Sequence, residues 1–371
     1  MLLTAITFLV MISLLVAAHE YGHYLFARLF GMDVEEFAIG FGKQKWVYRV
    51  KNGTEFTLRP WPLGGFVRIK GMVPEEDGSE IDVPNGFYSK PPLHRFVVLF
   101  AGPVFSVLAG VILLTGLFVS IPRHPTNDPI IGEVLAGKPA AVAGLKAGDR
   151  IVAIDGKPVD SWYAMIREVR ERPNQTLAFE YERDGQRARA EVATYLAETA
   201  TPLLDENLEP TGKRVKHALI GAAAELRRST PGEAVGEAVM YPVNMVAGLA
   251  GTFTSVDRFK SEIGGPIAIV QATSDQVQKG PADVMLLAAL LSISLGIFNL
   301  FPFSPLDGGQ MVVAVAEMLR GGRRLSMRAQ GMISVVGLTL VGMLVLSVFA
   351  VDIGRLGKKP PADPPAASQT K

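Results

Sequence analysis

Four long stretches without a charged residue constrain this chain before anything else: residues 2–18, 96–121, 284–306 and 331–351. The first is broken by a short polar cluster and resumes as apolar sequence to Ala27. Each approaches the ~20 residues that carry a helix across a bilayer. In lipid, backbone polar groups must be satisfied within the helices themselves. The chain therefore reads as a polytopic α-helical membrane protein with four transmembrane helices. A fifth uncharged stretch, 238–256, is weaker, because Pro242, Asn244, Gly248 and Gly251 interrupt it. No basic residue precedes the first run, so it reads as an uncleaved span and not as a removed leader.

The segments between the spans differ in character. Residues 28–95 are polar and rich in Gly and aromatic residues, and "TEFTLRPWPLGGFVRIKG" (54–71) alternates as strands do. This predicts a β region, with Gly64-Gly65 at a turn. Residues 122–215 form a soluble α+β insert, with short β-like runs and one helical run over 161–172. A connector follows over 216–283. Within it, "GEAVGEAVMYPVNMVAGL" (232–249) suits either an interfacial amphipathic helix that bars lateral access or a helix that packs between domains. Residues 307–330 are expected to be a loop. The Pro/Ala-rich tail, 352–371, is expected to be disordered.

Net charge is +1, so no nucleic-acid partner is indicated. The chain of 371 residues contains no cysteine, so any metal site must use His, Asp or Glu. The polar cluster in the first span is "AAHEYGH" (17–23). His19 and His23 are one turn apart on one helix face. Two imidazoles so placed can grip a zinc ion, with Glu20 beside it as a base. Zinc activates water near neutral pH. Glu20 can take the proton and pass it to a leaving amine. Ionisable groups in an apolar helix normally face a protein interior and mark function.

A third ligand is needed, because catalytic zinc usually keeps three protein ligands and one open position. His94, His124 and His217 fall in expected loops or in the insert. Asp307 ends the third span in "NLFPFSPLDGG" (299–309), where Pro302 and Pro305 interrupt regular helix. It can meet the histidines at one depth only if the first and third spans run parallel. That holds if 238–256 does not cross. Residues 28–95 carry ten Lys and Arg, and Arg320, Arg323, Arg324 and Arg328 follow the third span. Both loops are expected to be cytoplasmic, and the insert and both termini extracytoplasmic.

With both motifs in view, the chain resembles the site-2 protease family of intramembrane zinc metalloproteases. Within it, the chain is similar to the bacterial regulator-of-sigma-E protease branch. "FAIGFGK" (37–43), "PLGGFVRIKG" (62–71) and "IGGPIAIV" (263–270) match further motifs of that branch. The resemblance covers about residues 1–350. It implies His19, His23 and Asp307 as zinc ligands, Glu20 as catalytic base and Asn299 as a substrate-backbone contact. It also implies that Gly64, Gly65, Phe66, Val67 and Arg68 lie in a membrane-facing β-hairpin that presents the unwound substrate as an added strand. "AAVAGLKAGDRIVAIDGKPV" (140–159) resembles a PDZ domain, which would filter substrates by size or recognise a trimmed C-terminus. Only one such signature is present. The implied substrates are single-pass membrane proteins shortened beforehand by another protease, such as anti-sigma factors or remnant signal peptides. The implied setting is the bacterial inner membrane, with the site near the cytoplasmic side. One departure is "AGPVFS" (101–106), with Phe105-Ser106 where an Ala-Asn-like pair is common. Another is Gln310, which replaces a frequent His.

Two other classes fit parts of the pattern. A non-catalytic PDZ membrane adaptor with a structural metal would not need Glu20. A metal transporter would need a chain of ligands across the bilayer, and only one constellation is present.

Overall fold

An almost unbroken run of Leu, Ile, Val, Ala and Phe carries the first helix, α1, over Leu2–Leu29. Its end is set by Gly31, which adopts φ +66°. Met32 N–H then reaches back to the Ala27 carbonyl at 2.8 Å, and Gly31 N–H to Arg28 at 3.1 Å. This is the glycine-terminated helix stop that satisfies the last orphan carbonyls. The computed structural model describes residues 2–73, 79–206, 208, 210–252 and 264–355.

Four strands follow: β1 (Val34–Phe41), β2 (Trp46–Lys51), β3 (Thr54–Leu58) and β4 (Trp61–Ile69). They form one sheet in the order β2-β3-β1-β4. β1 runs parallel to β3 and antiparallel to β4. The successive strands β3 and β4 therefore do not pair as a hairpin, because β1 lies between them. Nor do Gly64 and Gly65 form a turn, since both lie inside β4. The register of β1 against β4 slips between Ile39 and Phe41, opposite Gly65 and Trp61. Gly64, at φ +115°, absorbs that irregularity where a Cβ would strike the Phe41 ring at 2.4 Å. The buried carboxylate of Glu36 secures the sheet. It takes a forked pair of hydrogen bonds from Arg59, at 2.7 and 2.9 Å, and one from Thr57 at 2.7 Å.

The remaining helices are α2 (Pro92–Ser120), α3 (Pro139–Val142), α4 (Trp162–Arg170), α5 (Pro231–Thr252), α6 (Pro266–Lys279), α7 (Pro281–Asn299), α8 (Asp307–Leu319) and α9 (Met327–Arg355). Among the described residues, four stretches are long and apolar enough to cross a membrane: Leu2–Leu29, Pro92–Ser120, Pro281–Asn299 and Arg328–Gly354. α5 is not among them. Its residues Val235, Val239, Val243 and Val246 are exposed at helical spacing, and Met245 Sδ contacts Ser294 of α7 at 3.5 Å. The end of the 238–256 stretch, Ile263 and most of the tail lie outside the described residues.

The chain divides into two compact units. One comprises Met1–Leu117 with Ala234–Lys371, and the other Phe118–Glu233. In the first unit, Arg95 of α2 donates to Glu317 of α8 at 2.5 Å, both fully buried. Arg324 pairs with Glu80 at 2.6 Å, and both guanidinium groups face the Tyr88 ring. Asp352, near the end of α9, accepts backbone N–H bonds from Gly265, Ile267 and Ala268 at 3.0–3.2 Å. It thereby caps the start of α6, which has no side-chain cap of its own.

The second unit has its own core, including Ile131, Ile151, Ile154, Trp162, Leu177 and Phe179. Its main sheet contains Gln186–Ala193, Thr176–Arg183, Arg150–Ile154 and Lys157–Pro158. α4 starts at Ser161, whose hydroxyl accepts from Ala164 N–H. The buried Asp149 takes two bonds from Arg183, at 2.6 and 2.7 Å, and fixes the glycine-bearing turn before it. The unit extends past the expected end at 215, because Ala222–Ala224 pairs with Ile131–Val134 and Leu226–Arg228 with Pro122–Pro125.

Two further expectations change. The third span stops as a helix at Asn299, since Pro302 and Pro305 break the repeat before 306. The expected loop 307–330 instead contains helix α8. Its first turn holds Asp307, an acid placed favourably at the positive helix end.

Candidate active site

The site is built where α1, α2 and the start of α8 converge. His19 and His23 are both buried, and their rings meet edge to face with centroids 4.9 Å apart. Asp307 reaches them from the first turn of α8. That turn folds tightly because Gly308 and Gly309 carry no Cβ. One at Gly308 would lie 2.2 Å from the Phe301 carbonyl oxygen, and one at Gly309 would lie 2.3 Å from Ser304 N.

The Nε2 atoms of His19 and His23 lie 3.2 Å apart. Asp307 Oδ2 lies 3.0 Å from the first and 3.4 Å from the second. Among the described residues, this trio is the one His/Asp/Glu group whose ligand atoms converge closely enough to hold a metal ion. The donor set fits zinc. Ligands at ~2.0–2.1 Å in a tetrahedron stand roughly 3.3 Å from one another. The three observed separations bracket that value.

The other ring nitrogens are also engaged. His23 Nδ1 lies 2.8 Å from the Val98 carbonyl oxygen. A carbonyl only accepts, so Nδ1 carries the proton, which in the neutral ring leaves the Nε2 lone pair toward the cluster. His19 Nδ1 lies 2.9 Å from the hydroxyl of Ser106. Such outer partners orient metal-binding imidazoles and fix their tautomers. Gly102 of α2 makes room for both rings. A Cβ there would lie 2.2 Å from His23 Nε2 and 2.9 Å from His19 Nε2.

Glu20 follows His19 on α1 and is half-buried, with the backbone of Val67 within reach of its carboxylate. β4 runs along α1. Ser13 donates to the Pro62 carbonyl at 3.0 Å, and Gly65 lets the strand approach Val16. β4 is an edge strand, paired with β1 on one side. Gly64, Gly65, Phe66, Val67 and Arg68 all lie on it. Asn299, the last residue of α7, donates from its side-chain amide to the Leu295 carbonyl of its own helix at 2.9 Å.

The other histidines are elsewhere. His94 sits on α2, not in a loop, and stacks on Phe30 at 4.3 Å. His124 contacts Ser229, and His217 lies by Thr201, both within the second unit. Sequence reasoning missed Ser106 and Gly102. "AGPVFS" contained both, but their role depends on how α2 packs against α1.

These features define a helical membrane protein carrying a compact, zinc-compatible site, and its relatives carry matching names. The family model described as Peptidase family M50 matches residues 7–344. A Brucella suis protein that carries a zinc metalloprotease name is 34% identical over 340 residues, covering 86% of each chain. Zinc metalloprotease RasP of Geobacillus kaustophilus is 28% identical over 428 residues, covering 94% of this chain and 97% of its own. The protein is a multi-pass zinc metalloprotease of the membrane. It belongs to peptidase family M50, the site-2 protease family.

Proposed function

We propose that the protein cleaves peptide bonds within or near the transmembrane segments of single-pass membrane proteins already trimmed by another protease. Remnant signal peptides and anti-sigma factors are the substrate classes in view, and regulated intramembrane proteolysis is the process. The setting is the bacterial inner membrane, with the site toward the cytoplasm and the Phe118–Glu233 unit outside. That unit acts as a PDZ-like filter or C-terminus reader.

The carrying observation is the convergence of His19, His23 and Asp307 between helices of membrane-spanning character. In this reading these three hold the zinc. A zinc ion held there supplies the Lewis acidity that activates water near neutral pH. Glu20 takes a proton from the attacking water and delivers it to the departing amine nitrogen. The edge strand β4 supports the substrate assignment. A transmembrane helix hides its peptide bonds, so it must unwind before hydrolysis. Strand addition along β4 would satisfy the freed backbone groups through the stretch from Gly64 to Arg68. Asn299, at the end of α7, would hold the substrate backbone once released from Leu295. The exposed valine face of α5 suits a lipid-contacting barrier to lateral access.

The test uses the purified full chain in detergent with a single-pass substrate, supplied whole and extracytoplasmically trimmed. Wild type is expected to cleave the trimmed form faster. Glu20→Gln is expected to lose roughly 10²–10⁴-fold in rate. A zinc chelator is expected to abolish cleavage. Equal cleavage by wild type and Glu20→Gln would overturn the assigned site. Equal rates on whole and trimmed substrate would overturn the trimming requirement.

A further inference from the structure

We infer that Ser106 is a positioning residue for zinc binding, acting through His19. This rests on the proposal that His19 is a zinc ligand. Ser106 is fully buried on α2, and its hydroxyl lies 2.9 Å from His19 Nδ1. A neutral imidazole that offers Nε2 to a metal must keep its proton on Nδ1, so Nδ1–H donates and Ser106 Oγ accepts. His23 has a carbonyl in the equivalent place, which can only accept. A hydroxyl can donate as well as accept, so the orientation of His19 depends on where the Ser106 side chain is held.

A third helix packs against the backbone of this residue. Ser292 of α7 donates to the Ser106 carbonyl at 2.7 Å. Gly296, one turn further along α7, lets that helix approach closely. A Cβ there would meet the Pro103 carbonyl at 2.6 Å and Ser106 Cβ at 3.2 Å. Ser106 thus sits at the junction of α1, α2 and α7, and is the point through which α2 sets the angle of the His19 ring. Loss of such an outer partner typically weakens metal affinity 10–100-fold.

The test is zinc affinity of the purified full chain, measured by competition with a chromophoric chelator, alongside kcat and KM. His19→Ala is expected to lose tight zinc binding. Ser106→Ala is expected to weaken it 10–100-fold, lowering kcat with little change in KM when zinc is limiting. Ser106→Thr, which keeps the hydroxyl, is expected to recover most of the affinity. Ser292→Ala, which keeps the Ser106 hydroxyl, is expected to stay within about two-fold of wild type, well short of that loss. Wild-type affinity in Ser106→Ala, with His19→Ala impaired, would overturn the positioning role and leave the zinc site standing. Equal weakening in Ser106→Ala, Ser106→Thr and Ser292→Ala would overturn it too, by showing a packing effect. Wild-type affinity in His19→Ala would overturn the zinc-site assignment itself.

Discussion

Gly102 stands directly against His23: a Cβ on this glycine would lie 2.2 Å from the imidazole Nε2. The same Cβ would crowd His19 Nε2 at 2.9 Å. Gly102→Ala should therefore push both rings off the zinc position. The expected outcome is purified protein with little zinc and little activity, while circular dichroism retains the wild-type helix content. Full zinc stoichiometry in this variant would show that α2 does not press on the histidines as described.

The buried pair of Arg95 and Glu317 makes a second prediction. Removing one partner leaves a buried charge uncompensated, at a cost of ~3–5 kcal/mol. Glu317→Ala should accordingly melt well below wild type in detergent. Replacing both, as Arg95→Met with Glu317→Leu, should recover much of the loss, because the charge goes with its partner. A double variant no more stable than the single one would contradict this.

Asp352 caps α6 from the far end of α9 by accepting three backbone N–H bonds. Asp352→Ala should cost ~0.5–2 kcal/mol, the usual range for a lost helix cap. Hydrogen exchange should speed up selectively in the first turn of α6. Unchanged exchange at Ile267 and Ala268 would refute the cap.

A pH dependence follows from Glu36. Burial would raise its carboxyl, but hydrogen bonds from Thr57 and Arg59, with the charge of Arg59, hold it below the usual carboxylate range. A lowered carboxyl stabilises the fold above its ordinary pKa of ~4.3, and that contribution is lost as pH falls through the folded value. Melting temperature in detergent should drop on acidification below about pH 4. Glu36→Gln should start lower at neutral pH and show a shallower acid slope. Parallel slopes for the two proteins would reject the assignment.

The candidate site was legible in sequence because His19, Glu20, His23 and Asp307 are chemically conspicuous in apolar surroundings. The spans were legible for the same reason, as length and absence of charge are local properties. What sequence did not show was decided by packing. Gly64-Gly65 has the composition of a turn, yet the inserted β1 keeps β3 and β4 apart and draws both glycines into a strand. The prolines and paired glycines around Asp307 suggested a loop. The glycines instead let α8 begin tightly against the preceding turn. Ser106 looked like a departure from a familiar pattern, and its meaning emerged only from its distance to His19.

One feature of α2 reaches beyond stability. At Gly22 against Ala101 and at Gly296 against Pro103, backbone meets backbone without an intervening side chain. A contact made of main chain leaves no room for a side chain at either glycine. The spacing of these helices beside the histidines is thus set by backbone contact, and a substitution at either glycine would have to part them.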